Sequence, residues 1–243
     1  MKEYNNIIQL QTIKEQLEAL SRKHKNKIVF STSFGLEDQV ITDIIFNNNI
    51  PITVFTLDTA RLFPETYKVW NKTIEKYEKP IKVYFPDNKE TEKLLEEKGP
   101  YSFYHSIANR KECCNIRKVK PLKRALAGNE LWVTGLRAEQ STAREDLESF
   151  VEDPALDIVK FNPLKDWTFE EVKAYVEDNN VPYNALHNKG FVSIGCEPCT
   201  RAVKKGDNFR SGRWWWENKS TKECGLHEVS SADVQIKSTN IIN

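Results

Sequence analysis

What most constrains this chain is a repeating alternation of short apolar runs with helical patterns. "KIVFSTSF" (27–34) is β-branched and ends in small hydroxyl residues before Gly35. "LEDQVITDIIFNNN" then places Leu36, Val40, Ile41, Ile44 and Ile45 at helical spacing. "PITVFTL" (51–57), "IKVYF" (81–85), "ELWVTGL" (130–136) and "DIVKFNPL" (157–164) read as four more strands of the buried type. "PETYKVWNKTIEKY" (64–77) is a helix with Pro64 suited to its first position. "IRKVKPLKRAL" reads as a helix interrupted or restarted at Pro121, and Thr168 with Glu171 forms a capping box stapled by Trp167 and Val172. Strands alternating with helices predict an α/β, doubly wound, mostly parallel sheet covered on both faces. In such folds ligands bind beyond the carboxyl ends of the strands, which points to 31–35, 58–61 and 135–144. From residue 183 onward the pattern dissolves into polar, Gly- and Trp-rich sequence.

The five cysteines sharpen this expectation. "RKECCNIRKVKPLKR" (110–124) sets Cys113 beside Cys114 among seven basic residues and one acid, Glu112. Neighbouring Cα atoms are about 3.8 Å apart, whereas disulfides prefer about 4.4–6.8 Å, so a bridge between the two would be strained. "SIGCEPCT" adds a C-x-x-C at Cys196 and Cys199. Four thiolates from two pairs make a metal site for zinc or an iron–sulfur cluster. Adjacent cysteines diverge too much to share one tetrahedral ion comfortably, whereas a 4Fe-4S cube offers each a separate corner. The spacing therefore favours the cube, with zinc as the alternative. The plainest reading is two buried thiols plus a redox-active C-x-x-C. Arg110, Lys111, Arg117, Lys118 and Lys120 would offset cluster charge, or bind an anion beside it.

Cys224 stands apart in "TKECGLHE". His227 and Lys222 favour its thiolate, Glu223 and Glu228 oppose it, and Arg210 and Arg213 are candidates to tip the balance. Trp214, Trp215 and Trp216 are read as anchors that bury aromatic area.

Three loops carry anion-handling groups. Ser31, Thr32, Ser33 and Gly35 lie where a strand end opens a helix. Asp58, Thr59 and Arg61 follow the second strand, and Arg137, Gln140, Ser141 and Arg144 follow the fourth. Taken singly each is an ordinary loop; converging on one sheet edge they predict a nucleotide or sulfo-phosphate site. A net charge of +1 argues against a surface built for nucleic acid. The start lacks a signal-peptide h-region and no run approaches a membrane span, so a cytoplasmic protein with reduced cysteines is expected.

Eight stretches in order, "SFGLEDQV", "LDTARLFPET", "RKECCNIRKVKPL", "GLRAEQS", "NPLKDW", "SIGCEPCT", "GRWWWE" and "KECGLH", resemble the adenylyl-sulfate and phosphoadenylyl-sulfate reductase family. The likeness runs from about residue 25 to 228. It implies a fold of the adenine-nucleotide α-hydrolase (PP-loop) type. It divides the chain into an N-terminal helical segment (1–24), a nucleotide-binding domain with the iron–sulfur site (25–216) and a cysteine-bearing tail (217–243). Family members with the four extra cysteines carry a 4Fe-4S cluster and prefer adenylyl sulfate; those without use the 3′-phosphorylated nucleotide. Carried over, the resemblance makes Cys113, Cys114, Cys196 and Cys199 cluster ligands and Cys224 the nucleophile. It places Lys118, Arg210, Arg213 and His227 around the sulfate end of the substrate. It implies thioredoxin or a similar dithiol as electron donor, and leaves a homo-oligomer open. Ala60 departs from the glycine common in the family, which matters if that residue needs φ > 0.

Two rival functions follow from the residues. A PP-loop tRNA-thiolating enzyme would show S-G-G-x-D-S, but this chain has "STSFGLED". A Cys₄ zinc module binding nucleic acid would need a stronger positive charge.

Overall fold

The structure is a computed structural model and describes residues 2–204 and 206–217. Its strands are β1 (Ile28–Ser31), β2 (Thr53–Leu57), β3 (Lys82–Tyr84), β4 (Leu131–Val133), β5 (Phe150–Asp153) and β6 (Ile158–Phe161). They form one sheet in the order β3-β2-β1-β4-β6-β5, parallel throughout except for β5, which pairs antiparallel with β6. The α/β, mostly parallel expectation holds. β5 itself has no counterpart in the sequence reading: "FVED" is a four-residue edge strand, half polar and too short to show alternation.

The helices are α1 (Asn5–Ile8), α2 (Ile13–Lys23), α3 (Leu36–Asn47), α4 (Pro64–Tyr77), α5 (Asn88–Lys98), α6 (Ile107–Cys114), α7 (Lys120–Leu126) and α8 (Phe169–Asp178). Successive strand side chains point to opposite faces, and the strands use that period to feed two cores. Ile28, Phe30, Val54, Leu131, Val133 and Phe161 join one core with residues of α2, α3, α4 and α8. Val29, Phe55, Trp132 and Ile158 join a second with Leu122, Ala125 and Leu126 of α7. Ile7 of α1 and Leu17 and Leu20 of α2 are buried in the first core. The α8 capping box forms as read, and Val172 is fully buried with Trp167 packed on the same core.

Pro121 does not break the helix that carries the vicinal cysteines. α6 passes through a π-helical turn, Asn115–Val119, directly into α7, and Pro121 sits in the first turn of α7, where the wider preceding turn accommodates its ring and missing N–H. The wide π turn follows immediately after Cys113 and Cys114, and such bulges recur at functional sites.

Asp43 ties the helices of the first face together. Its buried carboxylate accepts from the Tyr77 hydroxyl at 2.5 Å, the Tyr175 hydroxyl at 2.9 Å and Asn47 Nδ2 at 2.9 Å, with Lys76 at 3.5 Å. Asp43→Ala would leave the buried Tyr77 and half-buried Tyr175 phenols without their acceptor and is expected to cost about 3 kcal/mol. Urea unfolding followed by far-UV circular dichroism checks this.

Candidate active site

The sheet reverses its strand order between β1 and β4, the point where an open α/β sheet leaves a crevice. A cavity of about 220 Å³ opens there. Ser31, Ser33 and Gly35 line it from the loop after β1, and Thr134 and Gly135 from the loop after β4. Gln140 and Arg144 line it further along the second loop, and Lys118, Arg210 and Arg213 close it from the π turn and the C-terminal segment. Gln39 N donates to Gly35 O at 2.9 Å, so α3 begins with its free amides at the cavity wall.

Three residues expected at the substrate stand elsewhere. Asp58 is buried, accepting Ala60 N at 2.8 Å and the Tyr67 hydroxyl at 2.9 Å. Arg61 lines a neighbouring cavity beside the cysteines and donates to Pro100 O at 2.6 Å. Arg137 is fully buried behind the wall: its Nε donates to Glu37 at 2.9 Å and its Nη1 to Glu139 at 2.7 Å, and its guanidinium lies 5.8 Å from both the Phe169 and Phe209 rings. Glu37, held this way and by Gln140 Nε2 at 3.0 Å, lines the cavity itself. Cys224 and His227 lie outside the described residues.

The loops are held in demanding conformations. Phe34 has φ 60° and Ala60 φ 57°, both in the left-handed region. For alanine that region costs roughly 1–2 kcal/mol. Ala60 therefore adopts a conformation that glycine would take without strain, and the Asp58 carboxylate on its amide supports it.

Lys118, Cys196 and Arg213 line both this cavity and a smaller one beside it. All four cysteines, 113, 114, 196 and 199, face the smaller cavity together with Arg61, Arg110, Arg117 and Trp214. The sequence-derived foursome is thus brought together from α6 and the C-x-x-C turn. Burial pushes the Cys196 thiol up, but Lys118, the Thr59 hydroxyl at 3.2 Å, Arg213 and Arg117 outweigh it and bring it below the ordinary thiol value. Burial pushes Cys113 up, and burial with Cys196 nearby pushes Cys199 up to about 12. A thiolate at one sulfur thus raises the cost of the next. Arg117 donates Nη1 to Thr59 O at 2.8 Å, while its buried Nε and that of Arg213 have no hydrogen-bond partner. Gly195 makes room for this arrangement, for a Cβ there would collide with the Arg213 guanidinium.

Among the polar wall residues that the sequence reading did not single out are Glu37, Asp38 and His187. "GLED" did carry the two acids, yet acids in a first helical turn are ordinary helix-dipole partners and gave no reason to single them out.

With this geometry in view, the comparisons decide the family. The phosphoadenosine phosphosulfate reductase domain matches residues 27–202. The chain belongs to this family. The adenosine 5′-phosphosulfate reductase of Allochromatium vinosum is 48% identical over 221 residues, covering 90% of this chain and 86% of that protein. The crystal structure of phosphoadenylyl-sulfate reductase from Candida auris, a phosphate complex, superposes with TM-score 0.69 at 29% identity, covering 83% of this chain and 95% of that one. The fold is also that of the FMN adenylyltransferase of Candida glabrata, with TM-score 0.52 at 16% identity, covering 97% and 88%.

Asp38 supplies a pH test of the wall. Burial raises its carboxyl from 3.8 to about 6, the Ser33 hydroxyl and amide at 2.6 Å pull it back, and Glu37 pushes it further up. The folded protein therefore holds this proton more tightly than the unfolded chain. The stability it contributes is full below about pH 4 and lost as pH rises through about 6. Asp38→Asn, which cannot ionise, should flatten the stability profile across that window, measured by urea midpoints at successive pH values.

Proposed function

We propose that this protein reduces adenosine 5′-phosphosulfate to sulfite and AMP, drawing electrons from thioredoxin or a similar dithiol. One observation carries the reading: Lys118, Cys196 and Arg213 form a wall common to the nucleotide cavity and the four-thiol cavity. A nucleotide seated against the 31–35 loop would direct its anionic end at cationic groups and sulfurs, the arrangement a sulfonucleotide reductase needs. The name of the Allochromatium vinosum relative agrees with this reading.

The thiol site fits a 4Fe-4S cluster held by Cys113, Cys114, Cys196 and Cys199. Its donors are soft sulfurs, its rim is lined by guanidiniums, and two of them present a buried donor with no partner. Among the described residues no group of three or more Cys, His, Asp or Glu side chains is placed to hold a single metal ion. When bound, such a cluster would add fixed charge next to the substrate's anionic end.

The chain's own residues account for the rest. Lys118, Arg144, Arg210 and Arg213, with His227 from the C-terminal segment, offset the repulsion between a thiolate and the phosphosulfate. The Cys224 thiolate attacks the substrate sulfur, the bond from sulfur to the phosphate oxygen breaks, and AMP leaves with that electron pair. Cys224 then carries a thiosulfonate. A donor thiolate attacks the Cys224 sulfur, sulfite departs with the bonding pair, and the donor's second thiol resolves the mixed disulfide. The donor is oxidised by two electrons and the sulfuryl group is reduced to sulfite. With the four other cysteines committed to the cluster, no internal thiol is left to resolve it. These thiols stay reduced in a cytoplasmic setting, and no helix among the described residues is long and apolar enough to cross a membrane.

The Candida auris structure keeps a second substrate in view, the 3′-phosphorylated nucleotide. The name of the Allochromatium vinosum relative favours the substrate without the additional phosphate.

Cys224→Ser is expected to keep the brown cluster and nucleotide binding and to abolish sulfite release; turnover by that variant would remove Cys224 from its role. For the metal site, Cys196→Ser should give colourless or unstable protein after anaerobic purification, and an unchanged visible spectrum and iron content would exclude it as a ligand.

A further inference from the structure

Of the buried polar side chains without a hydrogen-bond partner among the described residues, two line the large cavity: Arg213 and His187. Arg213 is a cation felt by Cys196 and Cys199, which puts it at the anionic end of a bound substrate. His187 is different in kind. Both of its ring nitrogens are buried and neither makes a hydrogen bond of good geometry, although the Phe191 backbone lies close enough to act on the ring; the charged group that acts on it is Glu37, not a lysine or an arginine.

Burying an imidazole without partners is costly, and native structures rarely leave both nitrogens in that condition unless a ligand or water completes them. The turn that carries it is also held in place. The ring sits on the 3₁₀ turn Ala185–Lys189, where His187 N donates to Asn184 O at 3.0 Å and Asn184 Oδ1 accepts from Leu186 N at 3.0 Å. Asn184 Nδ2 reaches Thr66 Oγ1 at 3.2 Å on α4, and Gly190, at φ 83°, turns the chain back so that Phe191 N donates to Leu186 O at 3.2 Å. Rigid support around a group with nothing to bind is the signature of a site prepared for a ligand.

We propose that His187 is a substrate-binding residue that hydrogen-bonds the uncharged part of the nucleotide, a sugar hydroxyl or the edge of the base. This rests on the nucleotide-binding reading of the cavity and deepens it. Burial lowers the basicity of the ring against the opposing pull of Glu37 and the Phe191 backbone, so the neutral imidazole prevails near pH 7. A neutral ring offers one donor and one acceptor. That pair suits a hydroxyl or an amino-and-ring-nitrogen edge and is a poor match for a phosphate or sulfate, which asks for donors alone. The two orphaned groups thus divide the cavity between them, the guanidinium for the anion and the imidazole for the nucleoside.

The test is calorimetric titration of the cluster-loaded protein with AMP, which requires no turnover. His187→Leu fills the volume without the nitrogens and is expected to weaken AMP about tenfold. It should raise KM for the sulfonucleotide by a similar factor, with a smaller effect on kcat. His187→Gln or His187→Asn, which restores one polar atom, should recover part of the loss. Titration of wild type with 2′-deoxy-AMP, 3′-deoxy-AMP and inosine monophosphate then assigns the partner. The analogue lacking it should bind wild type and His187→Leu alike. AMP binding by His187→Leu within twofold of wild type would overturn the proposal, as would a loss confined to kcat. Failure of wild type itself to bind AMP would instead defeat the function proposed for the cavity.

Discussion

The site depends on how charge is balanced around four sulfurs, two of them on buried and two on half-buried cysteines. A thiolate taken out of water must be met by donors or by metal, and this chain meets it with cations drawn from three places: Arg61 after β2, Arg110, Arg117 and Lys118 from α6 and the π turn, and Arg213 from the C-terminal segment. Cys196 shows the balance directly, since its neighbours overcome the penalty of burial. Lys118 and Arg213 also face the larger cavity, so the groups that steady the sulfurs are the ones the proposed function assigns to the substrate's anion.

A second buried pair fixes the geometry of that wall. Arg110 grips Glu217 through two hydrogen bonds of 2.9 and 3.0 Å, with both side chains at most 3% exposed, and stacks its guanidinium 4.8 Å from the Trp214 ring. Buried ion pairs contribute little net stability relative to apolar residues of the same size, so their value lies in the orientation they enforce. Here the pair joins the helix of Cys113 and Cys114 to the end of the segment carrying Arg210 and Arg213. Glu217 precedes Cys224 by seven residues, a span of at most about 25 Å. A tether of that length would let the proposed nucleophile reach the cavity wall.

The arginines illustrate how one residue type divides its labour. Arg137 looked like a substrate contact in "GLRAEQS", yet its guanidinium is sandwiched between Phe169 and Phe209 and aims at Glu37. It shapes the cavity wall from behind and, through Phe209, ties the C-terminal segment to α8. Arg144 and Arg213 reach the cavity itself.

The alternation of strands and helices, the α8 cap, the loops that line the cavity and the grouping of four cysteines were all readable along the chain. They rest on local periodicity or on residue types that have few uses. What stayed hidden was non-local. β5 exists because β6 offers it an edge, and α6 continues into α7 because a π turn absorbs what Pro121 would otherwise break. His187 becomes significant only when folding buries both its nitrogens in a cavity formed by distant loops. Sequence determines which chemistry is available and at which strand ends it emerges. Tertiary packing alone decides which of those groups keep a partner and which are left facing the ligand, because hydrogen bonding and desolvation are settled by neighbours in space.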